Sequence, residues 1–251
     1  MRIVIPSYNR SQSINDKSLA TLYKSGYKPR EIDLFVANEE QYELYRQQVH
    51  PEVNIIVGCL GLRNIRNFIF NYYPEGEHLL CLDDDIEQLK ILNPETERLL
   101  PLIDFKEVVE KGFSECENNS LKLWGLYTCC NPRFMNNMKC ITYDYKFIIG
   151  NFFGCINCSD MNELHVDDID DYERSIRSFV MYGGQVRFNH ISAKTKFMKN
   201  TGGAQSDEFR NDTINKSIDI LNDKYPDMLY LKTKKGGIGR SIILKERSRR
   251  D

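Results

Sequence analysis

Short apolar runs alternate with longer amphipathic stretches along the first half of the chain, the rhythm of strands followed by helices. Arg2 to Pro6 reads as a strand that ends at Pro6, because proline cannot donate to a sheet ladder. Ser11 or Ser13 then caps a helix running to Tyr23, closed by Gly26. Ile32 to Ala37 and Asn54 to Val57 are the next strands, with a polar helix from about Glu39 to Val49 between them. From Gly61 to Tyr73 the residues Leu62, Ile65, Ile69 and Tyr72 fall on one helical face. His78 to Leu82 is a fourth buried strand, and it runs directly into three aspartates. Strands and helices repeating at this spacing predict βαβ units and an α/β fold, a mostly parallel sheet flanked by helices.

The second half is less regular. A helix over Asp104 to Cys116 leads into a strand over Lys122 to Thr128. Phe147 to Cys155 is apolar but interrupted by Gly150 and Gly154. Helices are expected over Ile169 to Tyr182 and Ser206 to Lys224, and strands over Met228 to Lys232 and Ser241 to Leu244. With no internal repeat and no linker rich in Pro, Gly or Ser, one domain over residues 1–251 is the simplest organisation.

Composition adds exclusions. The 251 residues are 41% hydrophobic and 28% charged, with 13 Phe and 14 Tyr, so disorder is excluded. The longest apolar runs fall far short of the roughly 18 residues of a membrane span, and the N-terminal one is too short for a signal peptide. A cytoplasmic protein with no membrane partner is expected, in the host cytoplasm if the source is viral. The eight cysteines are scattered, which favours reduced thiols. Cys155 and Cys158 have zinc-like spacing without a matching pair, although Cys129, Cys130 and Cys140 could supply partners. The net charge of −2 carries no global nucleic-acid signal. Lys232 to Asp251 is nevertheless basic, which suits either contact with a polyanion or a solvated terminus.

The candidate chemistry gathers at a few places. Leu79-Leu80-Cys81-Leu82-Asp83-Asp84-Asp85 puts adjacent carboxylates at the carboxyl edge of a parallel sheet, where α/β folds bind ligands. Such carboxylates repel one another unless a cation neutralises them, and hard oxygens suit Mg²⁺ or Mn²⁺. The alternative is that Asp85 merely caps a turn into Ile86 to Leu92. In Ile3-Val4-Ile5-Pro6-Ser7-Tyr8-Asn9-Arg10, Tyr8 could stack on a base and Arg10 pair with a phosphate at the same edge. Arg63 and Asn67 share a helical face with Arg66 beside them, to contact a nucleotide or the aspartates, or simply to be solvated. Asp167, Asp168, Asp170 and Asp171 open a helix; capping explains one or two of them, and one aimed into a cleft would serve as general base. His190 is either structural or a further metal ligand. Asn200-Thr201-Gly202-Gly203 is a turn that could close over a ligand.

Taken in order, IPSYNR, GLRNIRN, LDDDI and DDYERSI resemble the TET-associated glycosyltransferase group of phages and large DNA viruses, which is related to the base-J glucosyltransferases. The similarity spans about Arg2 to Gly203. It implies a GT-A, Rossmann-like fold, with residues 1–100 binding a nucleotide-sugar, a UDP-sugar being expected, and residues 101–251 serving the acceptor. It further implies a donor site at Pro6, Tyr8, Arg10 and Arg63 beside Asp84, and a metal site for Mn²⁺ or Mg²⁺ at Asp83 and Asp85, with His190 as a candidate further ligand. Asp171, with Asp170 where relatives carry Glu, matches the position of the base. The acceptor implied is a 5-hydroxymethylpyrimidine in DNA. Other acceptors (glycan, lipid or protein) and an inactive binding module remain as rival readings. A nucleotidyltransferase would need a glycine-rich loop with a lysine after the first strand, and Ser7 to Ser13 lacks glycine.

Overall fold

The computed structural model describes residues 1–161, 163–195, 210–233 and 240–249. Strands β1 (Arg2–Pro6), β2 (Ile32–Val36), β3 (Asn54–Val57) and β4 (His78–Leu82) lie side by side in the order β3-β2-β1-β4, all parallel. The connections are helical: a π-helical stretch Asn15–Leu19 continuing into α1 (Ala20–Lys24), then α2 (Glu39–Arg46), then α3 (Leu62–Tyr72). Gly26 ends the first at φ +77°, where a side chain would be strained.

Beyond β4 the sheet becomes mixed. The remaining strands are β5 (Gln88–Asn93), β6 (Arg98–Leu102), β7 (Leu123–Tyr127), β8 (Ile141–Thr142), β9 (Phe152–Ile156) and β10 (Val186–Lys194). They complete the order β3-β2-β1-β4-β9-β7-β10-β5-β6, with β8 paired to β10. Helices α4 (Lys106–Asn118), α5 (Pro132–Met135), α6 (Asp170–Tyr182) and α7 (Arg210–Lys224) complete the described helices of this half. A separate hairpin, β11 (Leu229–Thr233) with β12 (Arg240–Leu244), lies outside the main sheet. The segment from Ile86 to Leu92 is thus strand, not a turn capped by Asp85. The glycine turn at Asn200 to Gly203 and the start of the helix from Ser206 lie outside the described residues.

Strand alternation explains the layers. Ile3 and Ile5 pack on one face with Leu34, Val36, Leu80 and Leu82, against Leu19, Leu22 and Tyr45. Val4, Phe35, Leu79 and Cys81 face the other way, onto Ile65, Ile69 and Phe70 of α3. A third cluster joins Ile176 and Phe179 of α6 to Ile218 and Leu221 of α7 and to the hairpin. Each fully buried side chain of this size contributes about 1.5–3 kcal/mol. Trp124 of β7 is completely buried because Gly112 and Gly154 leave it room; a Cβ at Gly154 would fall 1.9 Å from its Nε1. Among the described residues no helix is long and apolar enough to cross a membrane.

Candidate active site

The carboxyl ends of β1 and β4 meet at one cavity of 590 Å³, a size that suits a small-molecule ligand. Pro6, Tyr8 and Arg10 line it from the loop after β1; Asp83, Asp84 and Asp85 line it from the loop after β4. Phe35, Ala37, Leu60 and Ile65 supply an apolar part of the wall, and Asp170 and Asp171 of α6 reach the same cavity.

The loop after β1 is held rigidly. Ser7 Oγ donates to Asp84 Oδ2 at 2.5 Å and lies 2.5 Å from the Tyr45 hydroxyl, which also accepts from the Arg10 amide at 3.0 Å. Burial pushes that Tyr45 hydroxyl up to about 12, so it stays protonated. Asn9 turns the chain at φ +57°, its amide donating to Gln41 Oε1 at 2.9 Å. Arg10 Nη1 pairs with Asp84 Oδ1 at 2.6 Å and Asp85 Oδ2 at 3.6 Å. Asp84 therefore acts as the pin of this loop. Burial raises its carboxyl despite the opposing pull of Arg10.

The loop after β4 is fastened from behind by the π-helical stretch. Ser18 Oγ donates to the Asp83 carbonyl at 2.6 Å and accepts from the Ile86 amide at 2.9 Å. Extra residues in a helix turn are frequent at functional sites because they re-aim a side chain. On the cavity side, Arg66 Nη2 donates to Asp83 Oδ1 at 2.7 Å and to the Gly150 carbonyl at 3.3 Å. Asp83 keeps 38% of its side chain exposed. Even so, the protein packed around it pushes its carboxyl up to about 6, against the pull of Arg66 and with the push of Asp85 and Asp84.

Helix α6 presents the second acid set. Asp170 is buried and accepts from Arg174 Nη2 at 2.5 Å, with Arg66 Nε 3.9 Å away. Arg174 itself lies over the Phe153 ring at 4.2 Å. Asp171 accepts from the Gly150 amide at 3.2 Å and the Tyr172 amide at 2.9 Å. Burial first, and then the neighbouring charge of Asp170, push the Asp171 carboxyl up to about 7. That value is where a general base works best at neutral pH. The fully buried Glu173 holds the preceding loop by accepting from the His165 and Val166 amides at 2.7 and 3.2 Å. Asp168 in that loop has φ +61°.

Two expected residues stand elsewhere. Arg63 does not line the cavity: its amide donates to Asp167 Oδ1 and its Nη1 to the His165 carbonyl. Arg66, three residues on, turns inward between the buried Ile65 and Ile69 and takes the place at the aspartates. His190 is not among the cavity residues either, its Nδ1 lying 3.0 Å from the Cys140 carbonyl oxygen on the β8 side of β10. Burial lowers its pKa, so its ring is neutral. Ser7, Ser18, Tyr45 and Arg174 were not singled out by sequence. Only an arginine set among apolar helix positions, as Arg66 is, carries a readable signal.

The donor set suits a divalent cation shared with a ligand. Among the described residues no three His, Cys, Asp or Glu side chains form a ready-made cage. Three carboxylates, Asp83 to Asp85, face two guanidiniums, Arg10 and Arg66, which leaves an excess of one negative charge in this group. A cation bound by one or two carboxylates and completed by substrate phosphates is the usual arrangement for such a half-site. The thiols of Cys155 and Cys158 are free and buried.

No protein-family model matches the chain, and no curated protein does. Among solved structures, TarS 1–349 of S. aureus in complex with UDP-GlcNAc is similar in fold, with TM-score 0.53 and 15% identity over 88% of this chain and 67% of that one. TarS 1–349 alone gives TM-score 0.48 at 15% identity, covering 77% of this chain and 59% of that one. The mannosyltransferase PcManGT of Pyrobaculum calidifontis, in complex with GDP-Man and Mn²⁺, gives 0.48 at 13% identity over 72% and 52%. This chain thus spans only about half to two thirds of each. At such identity the likeness is one of fold, and the fold is of the GT-A type.

Proposed function

We propose that the protein is a divalent-cation-dependent glycosyltransferase that moves a sugar from a nucleotide-sugar, a UDP-sugar first, onto an acceptor hydroxyl. One observation carries this reading: two acid sets share a single cavity at the carboxyl ends of parallel strands, linked by the buried Arg66. The apolar wall with Tyr8 suits a nucleobase, and Arg10 suits a phosphate. When bound at Asp83 and Asp85, a cation supplies positive charge to the departing diphosphate. Asp171 takes the proton of the acceptor hydroxyl, whose oxygen then attacks the anomeric carbon as the bond to the diphosphate breaks, with inversion. Asp170, committed to Arg174, orients the start of α6 and sets the charge beside the base.

The acceptor follows from the resemblance: a 5-hydroxymethylpyrimidine in DNA. A second reading, an uncharged glycan acceptor, has its own support. Asp167 and Asp168 add negative charge to the cavity wall, and the described arginines near the C-terminus are spent within the protein. Arg240 pairs with Asp219 at 2.5 Å, Arg247 donates to the Asp227 carbonyl, and Arg249 donates to the Asn119 carbonyl. The test is nucleoside diphosphate release from a panel of nucleotide-sugars with Mn²⁺ or Mg²⁺, with and without hydroxymethylpyrimidine DNA. DNA-stimulated release is the expected outcome. Release indifferent to DNA moves the acceptor to glycans or proteins, and tight donor binding without release defeats the enzyme reading.

A further inference from the structure

Part of Arg66 is unspent. Its side chain is 4% exposed, and Nη2 serves both Asp83 and the Gly150 carbonyl. Nε and Nη1 are buried and make no hydrogen bond among the described residues. A buried donor without an acceptor is unfavourable, so the guanidinium gains by moving once something frees it. An acceptor stands within reach: Asp170 Oδ2 is 3.9 Å from Nε. The 2.7 Å bond to Asp83 keeps the two apart. A carboxylate whose charge is taken up by a divalent ion holds a guanidinium far less strongly.

We propose that Arg66 is a positioning residue shared between the two acid sets: in the cation-free protein it holds Asp83, and once Asp83 is ligated to a divalent cation it turns to Asp170, neutralising the charge beside Asp171 so that Asp171 stands ionised when the donor side is filled. The proton lost from Asp171 goes to solvent, and no other bond changes. This inference rests on the transferase reading and adds an order of events to it, in which filling the donor side readies the base.

The groups around Asp171 fit this account. On its own helix, Asp170 opposes its ionisation and Arg174 favours it; the Gly150 and Tyr172 amides favour it as well. Arg66, from α3, reaches it only through Asp170. Asp167 and Asp168 from the loop before α6, and Arg10 with the three aspartates after β4, share the cavity without contacting Asp171 in the described structure. Arg66 is thus the one described side chain bonded to the donor-side aspartates that also reaches an acid of α6.

The test needs no turnover. The full chain, carbon-13 labelled at aspartate carboxyls, is titrated by NMR with and without Mg²⁺, with no donor or acceptor present. Asp171 and Asp83 signals are assigned from Asp171→Asn and Asp83→Asn. The Asp171 midpoint is expected to fall by about one pH unit on adding Mg²⁺, and this fall is expected to be largely lost in Arg66→Gln. An Asp171 midpoint that stays put while the Asp83 signal reports Mg²⁺ overturns the proposal, as does an Asp83 signal blind to Mg²⁺. An equal fall in Arg66→Gln assigns the effect to the ion's own charge and also overturns it. If that variant does not fold, Asp170→Asn serves: Asp171 should then titrate low in both states, and an undiminished Mg²⁺ effect sinks the idea. Absence of diphosphate release would defeat the transferase reading while leaving this titration readable.

Discussion

At the scale of single residues, Asp171 carries the sharpest expectations. A carboxyl raised to about 7 accepts protons only above that pH, so the transfer rate should fall about tenfold per pH unit below it. A base with an ordinary pKa would keep the rate flat to near pH 4. Asp171→Asn should lose at least a hundredfold in rate, the order general-base catalysis supplies, while donor affinity measured by calorimetry stays unchanged. Stability moves the opposite way. The folded state keeps a proton that the unfolded chain has lost between its ordinary value of 3.8 and about 7, so this carboxyl costs stability as pH rises through that window. Asp171→Asn should therefore melt above the wild type at pH 8, with the gain gone below pH 4. The aspartates themselves were legible in sequence as charges in excess of any capping need. Which arginine serves them was not, because Arg63 and Arg66 are separated only by the phase of α3 against the sheet.

At the scale of elements, the site depends on how α1 and its π-helical stretch are fitted behind β4. Ser18→Ala removes the hydroxyl shared by the Asp83 carbonyl and the Ile86 amide, leaving a buried amide unpartnered. It should cost about 1–3 kcal/mol in urea unfolding and weaken donor binding, because the aspartate loop loses its rear support. Unchanged donor affinity would show that the loop holds its shape without Ser18. The packing of β7 on β9 makes a separate prediction, independent of the cavity. Gly154→Ala drives a methyl into Trp124 and should destabilise by about 1–3 kcal/mol or more. The β5–β6 hairpin escaped the sequence reading because a short apolar run such as Leu89 to Leu92 fits strand and helix alike. Its turn is set by Asn93, whose side chain accepts from the Glu95 and Thr96 amides.

At the scale of the whole molecule, the sheet joins both halves of the chain, since β5 and β6 pair at the far edge with β10. The cavity draws its residues from the loops after β1 and β4 on one side of the sequence and from α6 on the other. If the cation belongs to the working site, chelation should abolish diphosphate release and added Mn²⁺ or Mg²⁺ restore it. Release that survives exhaustive chelation would remove the metal from the proposed reaction.

The periodicity of Arg2 to Leu82, read by itself, determined the four parallel strands, the helix over Leu62–Tyr72 and the acidic edge after β4. Those are local consequences of alternating burial and of a strand running out into carboxylates. Only the tertiary structure decided that Asp84 pins a loop, that Arg66 rather than Arg63 enters the cavity, and that His190 lies outside it. Each of those outcomes depends on how one element is rotated and placed against another, and the energies that choose between them come from contacts between residues far apart in the chain.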